Sequence, residues 1–285
     1  METKDFGRVR YEKDGAIARL VLTWPEKANK QDSKMVWAMD DALREADRDW
    51  DVKVLIVKAE GKGFCAGHAM GAIEDDYPEM AEDRAATGTQ YKSSADLFLW
   101  PVLKLWEFPK PTIAQVHGYA VGAGSYWALI PDITIASDDA YFQMPLPQAV
   151  GFPTGETMIE PWVFMNYKRS AEYLFQSKTL SAAEAHAWGA VNQVVPREEL
   201  EKAVEEMAAR IARAPLSTLM MTKSLNKRAW ELMGMRSHMQ MSTDLLELST
   251  HCGDVQAHMA KMAARSGNKP RQAMLAAEEE ANKAG

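Results

Sequence analysis

KPTIAQVHGYAVGAGSYWAL, residues 110–129, is the stretch on which the fold turns. The apolar and β-branched run from 112 to 122 reads as a strand; a glycine-rich turn follows, and the residues from Ala123 onward open a helix. GKGFCAGHAM, residues 61–70, has the same build at the end of an earlier strand. Helix starts of this kind carry backbone N–H groups with no intrahelical partner and a partial positive charge, so two of them can converge on one negatively charged oxygen. On residue pattern alone, each turn reads equally well as tight backbone with no chemical role. Spacing removes two other readings. A dinucleotide site needs GxGxxG in the first βαβ unit with an acid about 20 residues on, whereas GAGSYW has no third glycine. A serine-hydrolase elbow needs GxSxG, and no glycine stands two residues after Ser125.

Around this stretch, β-branched runs alternate with amphipathic segments, the pattern of a parallel sheet covered by helices. Strands are expected at 16–24, closed by Pro25, at 52–61 and at 132–137. Between the first two, Met35, Val36, Met39, Leu43, Ala46 and Trp50 recur at helical spacing, with Asp40, Asp41, Arg44 and Asp47 opposite. Residues 69–110 form an acidic insertion in which helices and a mobile loop are expected. From about 170 the chain turns helical, apart from a short strand in VNQVV, and the EEEANK tail is expected to fray. The organisation expected is an α/β core over residues 1–196 and a helical region over 197–285, divided softly within one unit.

Composition narrows the function. The chain has 285 residues, 47% hydrophobic and 26% charged, enough for a substantial core. A net charge of −7 argues against nucleic acid, which needs a clustered excess of Lys and Arg. The polar start METKDFGRVR and the lack of any run of about 18 apolar residues argue against export and a membrane span. Cys65 and Cys252 stand far apart with no ligand-like spacing, so neither a disulfide framework nor a metal site is expected, and a cytoplasmic location is. The 18 methionines read as core fillers.

GFCAGHAM at 63–70, the opening stretch, DITIASDDAYFQMP at 132–145, WPEKANK at 24–30 and residues 170–200 together resemble the crotonase, or enoyl-CoA hydratase/isomerase, superfamily. The resemblance implies a spiral core of repeated ββα units with a helical C-terminal oligomerisation region, a homo-oligomer (trimer or hexamer), and an acyl-CoA thioester as ligand. It implies no cofactor beyond the coenzyme A that the substrate carries. In such proteins two backbone N–H groups hold the thioester oxygen as an enolate; the matching positions are His68 and Ala123. His68 would then act through its main chain, its imidazole being an unassigned extra. Lys27, Lys30 and Lys62 resemble the loops that line the nucleotide end, and Ala66, Gly67, Gly122 and Leu146 fall among the expected substrate-binding positions.

Hydratases of the family carry two glutamates, one just inside the second helix and one after the following strand. Here the matching residues are Tyr126 and Leu146. A positioned acid or base contributes typically about 10²–10⁴ in rate, so simple water addition is expected to be impaired. Three explanations stay open. Another reaction of the same fold, an isomerisation, decarboxylation, dehalogenation or C–C bond hydrolysis, can use a proton donor elsewhere; Glu156 in PTGE and the Tyr126 phenol are the candidates. One of the acids Glu74, Asp75, Asp76 or Glu79 can swing in from the insertion. Or the protein binds an acyl-CoA without turning it over. Trp24, Trp127, Phe152 and Trp162 are expected to pack in the core or to shape the cavity.

Overall fold

The β-branched runs become strands because both faces of the sheet they form are covered. The structure, a computed structural model, describes residues 1–266; EEEANK lies outside the described residues. The strands are β1 (Glu2–Asp5), β2 (Val9–Asp14), β3 (Ile17–Leu22), β4 (Val54–Ala59), β5 (Thr112–Val116), β6 (Tyr119–Val121), β7 (Ile133–Ser137), β8 (Tyr141–Gln143), β9 (Leu180–Ser181) and β10 (Gln193–Val195). Seven pair in the order β1-β2-β3-β4-β5-β7-β10, and β6-β8-β9 make a second, smaller sheet. From β3 to β10 the large sheet is parallel, and β5 is buried at every residue, as a doubly covered parallel strand requires.

The helices are α1 (Ser33–Arg48), α2 (Ile73–Asp76), α3 (Pro78–Thr87), α4 (Tyr91–Ser94), α5 (Trp100–Glu107), α6 (Ala123–Leu129), α7 (Leu146–Ala149), α8 (Glu160–Phe164), α9 (Tyr167–Gln176), α10 (Ala182–Ala187), α11 (Leu200–Ile211), α12 (Leu216–Leu232), α13 (Met235–Ser249) and α14 (Gly253–Ser266). α1 is capped by Asp32, whose side chain accepts from the Met35 N–H at 2.9 Å. It buries Met35, Val36, Met39, Leu43 and Ala46, the larger of which stabilise by about 1.5–3 kcal/mol each. α11 covers the other face, packing Leu200, Val204 and Ala208 on Val54, Ile56, Ile113 and Ile135.

Several expectations change in detail. The run 112–122 is two strands, because Gly118 turns the chain at φ +55° between β5 and β6 and sends it into the second sheet. A β-carbon at Gly118 would lie 2.9 Å from the Gly63 Cα, so the two glycine segments are already in contact here. METKDFGRVR, read only as a polar start, supplies β1 and the first residues of β2. Trp50 lies beyond α1 and is exposed. Asp40, expected on the solvent side, is buried, where Lys104 from α5 reaches it at 2.7 Å. The insertion is helical along most of its length, including a π-helical turn at Ala95–Leu99.

Candidate active site

The two glycine turns lie side by side. Cys65 bridges Ala120 as a pair of short parallel strands would, with Cys65 N donating to Tyr119 O at 3.1 Å and Val121 N to Cys65 O at 3.0 Å. Gly67 follows at φ +86°, where a β-carbon would sit 2.6 Å from the Val121 carbonyl oxygen and 3.3 Å from the Ala123 nitrogen. Only glycine lets the first turn approach the second this closely. Gly122, at φ +55°, caps α6, and Ala123 is its first residue. Among the described residues, the N–H groups of His68 and Ala123 donate to no protein acceptor. Two free donors therefore stand on adjoining turns.

A carboxylate reaches this place. Glu156 lies in the segment between α7 and α8, is 8% exposed, and its Oε2 is 3.4 Å from His68 Nε2. The imidazole packs at 4.1 Å on the Phe98 ring and edge-on against Tyr77, both from the insertion, and its Nδ1 is buried without a partner. Tyr77 is fixed in turn, accepting from the Ala69 N–H at 2.9 Å and donating to the Gln31 carbonyl. From the C-terminal region, α13 holds the Glu156 segment by its backbone. Thr243 Oγ1 donates to the Glu156 carbonyl at 2.6 Å, Ser242 Oγ to the Gly155 carbonyl at 2.8 Å, and Met158 N to Ser242 Oγ at 3.2 Å. The insertion is tied to the same helix through Tyr91 to Asp244 at 2.9 Å and Ser94 to Glu247 at 2.6 Å.

Tyr126 stands behind this segment. It is 1% exposed, and a β-carbon on Gly155 would lie 2.5 Å from its Oη, so the phenol is packed beneath Gly155–Glu156. Burial, and next the Glu160 carboxylate, push its pKa well above the usual phenol value. Leu146 opens α7 and packs half-buried against the core. Two free N–H donors beside a carboxylate and an imidazole can hold a negatively charged oxygen and move a proton at the neighbouring carbon.

A family model described as enoyl-CoA hydratase/isomerase matches residues 12–266. The chain belongs to this family. The family member is 30% identical over 267 residues to the Mycobacterium tuberculosis protein EchA13, named for enoyl-CoA hydratase, covering 88% of this chain and 84% of that protein. It is 29% identical over 251 residues to the Escherichia coli 1,2-epoxyphenylacetyl-CoA isomerase, covering 86% of this chain and 92% of the isomerase. Among solved structures, an enoyl-CoA hydratase/isomerase from Xanthobacter autotrophicus superposes with a TM-score of 0.82 at 27% identity, covering 97% of this chain and 99% of that one. The fold is thus the α/β crotonase fold.

Within this family member, the sequence-derived residues divide by position. His68, Ala123, Gly67, Gly122 and Glu156 gather at the paired turns. Ala66 is exposed at the rim, its N–H donating to the Ala28 carbonyl at 3.0 Å, which joins the lysine loop to the first turn. Lys27 and Lys62 are exposed on neighbouring loops, since a β-carbon on Gly61 would meet Pro25 at 2.5 Å. Lys30 is already engaged, 3.4 Å from Asp76 and over the Trp24 ring. The acids of the insertion point elsewhere: Glu74 and Asp75 are exposed, Asp76 also accepts from the Gly71 N–H at 2.7 Å, and Glu79 accepts from Ser33 at 2.5 Å and Trp37 at 2.8 Å. Trp127 is wholly in the core; Trp24 and Trp162 are half-buried, under Arg8 and against His238 respectively, and Phe152 is half-buried. The sequence reading missed the His68–Glu156 contact and the hydroxyls of Ser242 and Thr243. No motif marks two hydroxyls on a long helix, and only the fold brings them to Glu156.

Proposed function

We propose that the protein binds an acyl-CoA thioester and moves a proton at the carbon next to the thioester, passing through an enolate. The observation that carries this reading is the 3.4 Å contact between Glu156 and His68, beside the two unpartnered N–H groups. In this mechanism the His68 and Ala123 N–H groups receive the thioester oxygen. They favour the enolate over the ground state because the negative charge develops on that oxygen. Glu156 takes the α-proton, and His68 holds the carboxyl in place or shares the proton. Phe98 and Tyr77 keep water from the pair.

Water addition also needs a group to position the water, and Tyr126 and Leu146 supply none. Redelivery of the proton to another carbon, as an isomerase does, fits a site with one carboxylate, and the likeness to a relative named as an isomerase supports it. Lys27 and Lys62 would face the phosphates of coenzyme A, which arrives with the substrate, so no further cofactor is needed. The exposed apolar residues Leu225, Leu232, Met241, Leu245 and Leu248 on α12 and α13 support assembly with further copies as a trimer or hexamer. Two free cysteines support the cytoplasm as the compartment.

The test is incorporation of deuterium from heavy water into the α-position of butyryl-CoA, followed by mass spectrometry. Wild type should exchange and Glu156→Gln should lose at least about 10²-fold. Crotonyl-CoA hydration should be slow in both. Absence of exchange in the wild type, exchange that survives Glu156→Gln, or hydration at tens of turnovers per second overturns the proposal.

A further inference from the structure

The two free N–H groups each belong to a peptide unit whose other end is held. A peptide unit is planar and trans, so its C=O and N–H point in opposite directions. Holding the carbonyl therefore aims the N–H. The unit that carries the His68 N–H has the Gly67 carbonyl at its other end, and that oxygen accepts from the Gln31 N–H at 2.8 Å. The unit that carries the Ala123 N–H has the Gly122 carbonyl, which accepts from Ser125 Oγ at 2.6 Å and from the Ser125 N–H at 2.9 Å. Ser125 lacks the turn that a nucleophile needs; its buried hydroxyl is committed instead to the back of a donor.

The anchor behind His68 is itself clamped by the Cys65 thiol. Its Sγ accepts from Gln31 Nε2 and from the Gly67 N–H, both at 3.4 Å, and donates to the Asn29 carbonyl at 3.1 Å. Burial raises the thiol to about 11, so that donation persists at neutral pH. The Ala69 N–H donates to the Gln31 carbonyl at 2.7 Å, so the peptide units on both sides of His68 hang on Gln31. Asn29 closes the clamp from behind: its Oδ1 accepts from the Trp24 N–H and its Nδ2 donates to the Glu60 carbonyl, both at 2.9 Å. A carbonyl that accepts a hydrogen bond also polarises its own peptide unit and strengthens the N–H opposite, by about 10–30% per bond.

We infer, on the reading that these two N–H groups receive the thioester oxygen, that Ser125 and the Cys65–Gln31 pair are positioning residues of the donor pair. They aim and strengthen the Ala123 and His68 N–H groups through the carbonyls behind them, without touching the substrate. Loss of a whole donor costs about 10²–10³ in rate. Loosening one through its carbonyl costs a fraction of that, about tenfold. The negative charge on the oxygen is largest in the transition state, so the loss falls on kcat and leaves KM within about twofold.

Two measurements on each protein test it: infrared difference spectroscopy of bound butyryl-CoA with an isotopically labelled thioester carbonyl, and the kcat and KM of α-proton exchange. In the wild type the bound carbonyl band should lie at lower frequency than in free butyryl-CoA. Ser125→Ala and Cys65→Ala should each move the band back toward the free position and lower kcat about tenfold. Ser125→Thr and Cys65→Ser, which keep a hydroxyl, should recover most of both; Gln31→Met, which keeps the main-chain N–H and removes the donor to Sγ, should repeat the Cys65→Ala result. An unmoved band with unchanged kcat in an alanine variant overturns the role of that residue, and so does a hydroxyl variant no better than alanine. If Cys65→Ala does not fold, Gln31→Met decides for the clamp, and Ser125→Ala decides for the second donor on its own. A shifted band in a wild type that does not exchange the α-proton upholds the inference and refutes the acid–base reading of Glu156. A wild type with no shift refutes the reading of the two N–H groups, and the inference with it.

Discussion

Replacing Glu160 by Gln should stabilise the protein, and only on the alkaline side. Burial carries the carboxyl from 4.5 to about 7. Below 4.5 the folded and unfolded chains both hold the proton, and the buried side chain is neutral in either case. Between the two values the unfolded chain releases the proton and the folded chain keeps it, so stability declines as pH rises. Above about 7 the folded protein must carry a desolvated charge, and the decline is complete. The span multiplied by 1.36 kcal/mol per pH unit gives about 3 kcal/mol. Gln keeps the shape and the hydrogen-bonding groups of a protonated carboxyl without the charge. The variant should therefore match wild type near pH 4.5 and exceed it by up to about 3 kcal/mol near pH 8. Urea unfolding followed by circular dichroism at the two pH values measures the difference directly. A gain of equal size at both, or a variant less stable than wild type at the higher pH, would refute the assignment of the raised value to burial of this side chain.

Gly67→Ala should push the first turn off the second, because its β-carbon would meet the Val121 carbonyl at 2.6 Å in a left-handed backbone; α-proton exchange should fall by about 10²–10³, read by the mass-spectrometric assay. Thr243→Val removes the donor that holds the Glu156 carbonyl at 2.6 Å. It should lower kcat for exchange about tenfold with KM unchanged, with recovery in Thr243→Ser, since misplacing a reacting group acts on the chemical step. Maleimide labelling of the native protein should modify one thiol per chain, the exposed Cys252. Cys65 is fully buried and pushed up to about 11, chiefly by burial; a second equivalent taken up without denaturant would contradict this.

What the sequence disclosed depended on whether a signal was local. The parallel strands and α1 show in runs of β-branched residues and in a 3.6-residue period, both properties of neighbouring residues. The paired turns show because glycine is needed wherever backbone crosses backbone, as Gly67 does at Val121. β1 and β2 were hidden, since polar residues on an edge hairpin leave little apolar alternation. Asp40 misled because its solvent-side appearance ignores Lys104, which arrives from 64 residues away. Glu156 became a candidate through the family resemblance, lying a few residues beyond Leu146 where several relatives place an acid, whereas its contact with His68 is made beside Phe98 and Tyr77 from an insertion with weak periodicity. Glu160 gave no sign in the sequence, because Glu at a helix start ordinarily faces water.

The hydroxyls of Ser242 and Thr243 lie 87 residues along the chain from the carbonyls they hold, and this has a consequence for the order of events during synthesis. Among the described residues every strand lies within the first 195, so a growing chain can close both sheets while α13 is still being made. At about 5–20 residues per second, an interval of seconds separates a formed sheet from an anchored Glu156. A nascent or truncated chain ending ahead of Met235 would present the paired N–H groups on schedule, with its carboxylate still wandering. Ligand binding by such fragments should therefore appear before turnover does.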